Sequence, residues 1–153
     1  MYAFKYKTNM FLGQRGKMPV DKEVVKARIN ELIGAINELK RLTSKPFIEM
    51  TIDEVYSMRY NIIVLAESLA SICLHLALEF YGMRPRSNTE CVREVCQRIN
   101  LYCCKDLEDL IRLRNIITHR YWMVKDDQIY RDIKNDFECI FEFIRKVEEL
   151  SSV

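Results

Sequence analysis

A chain of 153 residues is long enough to bury one hydrophobic core, and one compact domain is the expectation. Hydrophobic residues make up 49% and charged residues 30%, with 4 Gly and 3 Pro, which excludes a disordered chain and suits a helical one. The formal net charge of +2 excludes a globally basic surface, so any contact with nucleic acid must come from a local patch.

Residues 1–19 read as an N-terminal extension. Tyr2, Phe4 and Tyr6 alternate as in a short strand, and Gly13-Gln14-Arg15-Gly16 and Pro19 then interrupt any regular pattern. Met18 precedes a natural domain start, so a native flexible tail and an upstream initiation site are both open readings. Residues 20–150 are expected to form the domain.

From Asp21 the apolar residues Val25, Ile29, Leu32, Ile36 and Leu39 recur at spacings of three and four, which predicts a helix ended by Thr43-Ser44-Lys45-Pro46. Thr51-Ile52-Asp53-Glu54 is a capping-box sequence, and the helix it opens is expected to run to about Tyr81, with Gly82 as its stop. This helix carries two apolar stripes. Val55, Met58, Ile62, Leu65, Leu69, Ile72 and Leu76 form one, and Ile63, Ala66, Ala70, Cys73 and Ala77 form the other. Two stripes need two partners. One is the rest of the bundle, and the other is either the same helix of a second subunit or a further helix of this chain. The longest uncharged run, Ser68 to Leu78, is well short of the roughly 20 residues of a spanning helix, so no membrane is expected.

Ser87-Asn88-Thr89-Glu90 predicts a short helix through about Arg98, and Asp106 can open the next. Asp126 or Asp127 then caps a last helix with Ile129, Ile133, Phe137, Ile140, Ile144 and Val147 on one face. The expected fold is an all-α, up-and-down bundle of about five helices, dimeric. Cys73, Cys91, Cys96, Cys103, Cys104 and Cys139 fall mostly inside apolar helical patterns, and reduced, buried thiols are expected. No pair has CxxC spacing and only 2 histidines are present, which argues against a structural zinc site.

Chemistry concentrates in Arg112-Leu113-Arg114-Asn115-Ile116-Ile117-Thr118-His119-Arg120-Tyr121-Trp122. A guanidinium keeps its charge and offers a planar fork of donors to phosphate oxygens, while an imidazole gives or takes a proton near neutrality. Together they supply what RNA cleavage without metal requires: proton transfer at the 2′-hydroxyl and the leaving 5′-oxygen, and charge at the phosphate. In an uninterrupted helix, however, Arg114 and His119 stand about 140° apart. Either the helix distorts or the groove is wide. The plainer alternative pairs Asn115 with His119, sends Tyr121 and Trp122 into the core and leaves Arg114 as a surface charge. His75 reads as a partly buried imidazole outside the chemistry, and Glu67 is either paired in the bundle or placed in the cleft.

The string RNIITHRY matches the Arg-x4-His-x-Tyr signature of the HepT-like branch of the HEPN superfamily, which the chain resembles over roughly residues 21–150. Arg59-Tyr60-Asn61-Ile62-Ile63-Val64-Leu65-Ala66-Glu67 with His75, Gly82-Met83-Arg84-Pro85, and Tyr121-Trp122-Met123-Val124-Lys125-Asp126 resemble the same family in the same order. Ser71 departs from it, standing where many relatives carry an acidic residue four positions beyond the residue matched by Glu67. The resemblance implies a homodimer with two motifs at one cleft, an RNA substrate, Arg114 and His119 as catalytic residues supported by Asn115 and Glu67, and no cofactor. It also implies the toxin of a type VII toxin–antitoxin pair, a cytoplasmic ribonuclease leaving a 2′,3′-cyclic phosphate. Its partner would be a nucleotidyltransferase antitoxin of the MntA type that silences it by AMPylation of Tyr121. The alternative is a non-catalytic HEPN module that binds nucleotide or serves as an adaptor for a separate nucleotidyltransferase.

Overall fold

The computed structural model describes residues 21–134 and 136–151. The strand-like alternation of Tyr2, Phe4 and Tyr6 and the extension over residues 1–19 lie outside them. Among the described residues there are six helices and no strand: α1 (Lys22–Leu42), α2 (Ile52–His75), α3 (Asn88–Arg98), α4 (Cys104–His119), α5 (Asp126–Ile133) and α6 (Glu138–Ser151).

Local signals place the ends of these elements. Asp21 caps α1 by accepting from the backbone N–H groups of Glu23 and Val24. At the start of α2 the capping box is complete: Glu54 N–H donates to Thr51 Oγ1 at 3.1 Å, and Thr51 N–H donates to Glu54 Oε2 at 2.9 Å. The same helix path continues through a π-turn, Leu76–Phe80, and stops at Gly82, whose φ of 62° is the left-handed conformation glycine adopts without strain. Ser87 caps α3 by accepting from Glu90 N–H.

The second of these helices is the axis of the bundle. It packs on α1 along one side and on α3 and α4 along others. Both predicted stripes are covered within one chain: Val55, Met58, Ile62, Leu65, Leu69, Ile72 and Leu76 on the first, and Ala66, Ala70, Cys73 and Ala77 on the second, are buried, and Ile63 of the second is half-buried against the core. The second stripe therefore does not call for another subunit. By length and composition the segment Ile52–Phe80 would also suit a membrane span, but 56% of its most apolar stretch is buried inside the bundle. Its remaining face is exposed and begins with Ile52, Tyr56 and Tyr60.

Three expectations are corrected. The predicted last helix is two helices, α5 and α6, because Lys134-Asn135-Asp136 supplies turn formers where the helix would have to continue. Ile129 and Ile133 still reach the core from α5, and Ile140, Ile144 and Val147 from α6. Neither Asp126 nor Asp127 caps α5. Lys125 holds the cap position without a side-chain bond, and the Asp126 carboxylate is engaged by Arg59. Four of the six cysteines are not free thiols: Cys96 is bonded to Cys104 and Cys103 to Cys139, with Cα separations of 5.6 and 6.0 Å. The short link from α3 to α4 folds Cys96 over Cys104, and α6 returns to the start of α4, a proximity that sequence spacing does not reveal. Cys73 and Cys91 remain free and buried, and burial pushes the Cys91 thiol up to about 12.

Candidate active site

The motif residues occupy the last turns of α4 and the segment that follows. Residues 112, 115, 116 and 119 recur at spacings of three and four and so share a face, while Arg114 stands on another. That other face meets α2, where the Arg114 guanidinium forms an ion pair with Glu67. The helix then ends at His119. Arg120, with φ −134° and ψ 45°, leaves the helical path while its N–H still donates to Ile116 O at 2.8 Å. Tyr121–Met123 follow as a single 3-10 turn.

The expected angular separation of Arg114 and His119 is thus what the chain adopts, and Asn115 bridges it. Arg114 Nη1 donates to Asn115 Oδ1 at 2.9 Å, and Asn115 also lines an open cavity of about 520 Å³ together with Arg112, Ile116, His119 and Arg120. Arg114 is braced from behind, since Thr118 Oγ1 donates to its carbonyl at 2.9 Å. Its Nε is buried without a partner among the described residues. Glu67 is both paired with Arg114 and solvent-facing, and it is not one of the residues that line the cavity. Ser71, one turn further along α2, has no hydrogen-bond partner among the described residues and adds no second carboxylate.

The plainer alternative does not hold. Asn115 is bonded to Arg114, and no Asn115–His119 hydrogen bond is present among the described residues. Tyr121 and Trp122 stay out of the core, exposed at 64% and 70%, with their rings edge to face at 5.4 Å. His75 lies elsewhere: its Nε2 accepts from Asp21 N–H at 3.0 Å and ties the end of α2 to the start of α1. That leaves His119 as the histidine of the site.

Two supporting arrangements were not legible in the sequence. Arg59 grips Asp126 through two hydrogen bonds of 2.7 Å, and this pairing raises the guanidinium pKa further. The clamp anchors the first residue of α5 to α2 and so confines the intervening segment that carries Tyr121. Glu108 accepts from Arg93 Nε of α3 at 2.7 Å and from Arg112 Nη2 at 3.4 Å, holding Arg112 at the cavity wall. The Arg59–Asp126 and Arg93–Glu108 pairs join separate helices and no local pattern announces them, whereas Glu108 and Arg112 have the i,i+4 spacing of one helix.

Among the described residues no three His, Cys, Asp or Glu side chains come together in a metal-holding group. What the site brings together is one exposed imidazole, two guanidinium groups and an amide around a solvent-open hollow, with the Arg114 guanidinium bonded to that amide. Such a set can hold an anion and move a proton beside it. The family model described as Ribonuclease HepT-like matches residues 29–147, a span that includes Glu67 and every motif residue. No curated protein matches the chain.

Proposed function

The chain belongs to the HepT-like ribonuclease family, and from this premise we propose that it is a metal-independent RNA endonuclease and the toxin of a type VII toxin–antitoxin pair. The observation that carries the reading is the exposed His119 on the wall of an open cavity that it shares with Asn115, the hydrogen-bond partner of Arg114. An exposed imidazole has room to reach a ribose 2′-hydroxyl or a leaving 5′-oxygen, and the neighbouring guanidinium groups offset charge on the phosphate. Attack of the 2′-oxygen on phosphorus forms the new P–O bond as the 5′-oxygen leaves. The products are a 2′,3′-cyclic phosphate and a 5′-hydroxyl end.

That reaction moves two protons, one from the 2′-oxygen and one to the 5′-oxygen, and each chain brings one histidine to the site. A second copy of His119 in a homodimer supplies the other proton carrier. The exposed row Ile52, Tyr56 and Tyr60 on α2, next to the Arg59–Asp126 clamp, is the surface we assign to that interface. Tyr121 stands two residues beyond His119 with its ring exposed, accessible to a nucleotidyltransferase antitoxin of the MntA type. An added AMP would bring bulk and negative charge to the place an RNA phosphate must approach. We assign the domain to residues 20–150 and the reaction to the cytoplasm. In that reducing compartment the apolar bundle must hold without its two disulfides.

The ion pair between Arg114 and Glu67 favours one other reading, a nucleotide-binding adaptor whose arginine is structural. Cleavage of RNA by the unmodified protein separates the two. The expected result is full cleavage in EDTA, with His119→Ala slower by roughly 10² to 10⁴-fold and still folded. Tyr121→Phe should cleave but escape silencing by the antitoxin and ATP. Wild-type rates from His119→Ala in clean preparations would leave the adaptor.

A further inference from the structure

Two arginines share the cavity wall with the imidazole and a third, Arg114, is bonded to Asn115 of that wall, and they are not equivalent. Arg112 is engaged on both sides: its Nη1 donates to Asp109 Oδ1 at 2.8 Å and its Nη2 to Glu108 Oε2 at 3.4 Å. Arg114 is held between Glu67 and Asn115. Arg120 is exposed, lines the same cavity as His119, and its guanidinium has no hydrogen-bond or ion-pair partner among the described residues. Among the described residues it is the cavity-lining cation that can receive an anion without first giving up an internal carboxylate. Its place follows from the end of α4. Residue 120 is four beyond Ile116 and eight beyond Arg112, so it falls on their side of α4. It stays there where the chain leaves the helix, and Arg120 shares the wall formed by Arg112, Ile116 and His119.

We propose that Arg120 is a substrate-binding residue of this site, holding the RNA backbone phosphate next to the one on which His119 acts. The proposal rests on the ribonuclease reading above and assigns the anchoring contact to the residue between His119 and Tyr121. A guanidinium fork fits the two non-bridging oxygens of a phosphodiester, and such a contact carries affinity and position without reading bases. It also couples to silencing, because AMP on the adjacent Tyr121 would place a competing phosphate within reach of the same cation. The bland role for Arg120 is a cation at a helix C-terminus, interacting with the last carbonyls. That role would change thermal stability slightly and leave RNA binding untouched.

The test uses the full chain and a short 2′-O-methyl oligouridylate, which lacks the attacking hydroxyl, with affinity measured by fluorescence anisotropy across a range of KCl. Arg120→Ala is expected to bind about 5- to 10-fold more weakly, with the slope of log Kd against log[KCl] shallower by about 0.7, the value for one lost single-strand phosphate contact. Arg120→Lys should recover part of both, and the remote Lys26→Ala should keep the wild-type slope. On cleavable RNA the loss in Arg120→Ala should fall on KM more than on kcat. Unchanged affinity and slope in Arg120→Ala, from a protein whose wild type does cleave RNA, would overturn the assignment and leave the ribonuclease reading standing. A wild type that neither binds nor cleaves RNA would remove that reading, and this proposal with it.

Discussion

Glu67 is the residue on which the behaviour of Arg114 turns. Its carboxylate neutralises the guanidinium that the family motif assigns to the phosphate, yet it also holds that guanidinium at the angle from which Asn115 connects it to the cavity. Both effects follow from one ion pair at a partly exposed site, where the pair adds little stability and mainly orients. Glu67→Ala should therefore lower kcat by about 10-fold through lost orientation, a modest share of what a misplaced catalytic group can cost. RNA affinity should stay level or rise, since a negative charge beside the substrate is gone. Steady-state kinetics with separate binding measurements would check this, and weaker binding at unchanged kcat would count against it.

At the scale of elements, the end of α2 and the start of α1 are joined through the His75 imidazole. Its Nε2 must be unprotonated to accept from Asp21 N–H. Burial lowers the His75 pKa, and the nearby Glu79 and Asp21 carboxylates offset part of that shift. A folded-state pKa below the unfolded value means that the contribution is complete above the ordinary histidine value, about 6.5, and is lost as pH falls through the lowered one. Urea midpoints should accordingly hold steady above about pH 7 and decline between about pH 6.5 and 5, before carboxylates begin to protonate. His75→Phe should flatten that interval. Equal slopes in variant and wild type would assign the decline to other groups.

At the scale of the whole molecule, the unanswered surface is the exposed row of α2 beside the Arg59–Asp126 clamp. Tyr56 and Tyr60 are exposed at 56% and 64%, although the helix that carries them is the most deeply buried in the bundle. Light scattering should give about twice the chain mass. Tyr56→Glu with Tyr60→Glu should separate the copies without a core penalty, and the separated chains should cleave RNA poorly because each holds one proton carrier. A double variant that is monomeric and fully active would end the composite-site argument, and a wild-type monomer would end it sooner.

The helical architecture was readable from the amino-acid sequence because it depends on local causes. Apolar spacing, the Thr51–Glu54 box and the Gly82 stop act within a turn or two of the residues that carry them. The angle separating Arg114 from His119 on a regular helix was readable for the same reason. The break between α5 and α6 was missed because a continuing apolar period overrode the weaker turn signal of residues 134–136. Tertiary structure alone decided which surfaces remained open. It covered the second stripe of α2 within one chain, and it brought Cys96 to Cys104 and Cys103 to Cys139. It also set Glu67 against Arg114 and Asp126 against Arg59, and among the described residues left Arg120 without a partner on the wall it shares with His119. Each of these depends on the distance between side chains on different elements or across a helix end, a quantity fixed only when the helices pack.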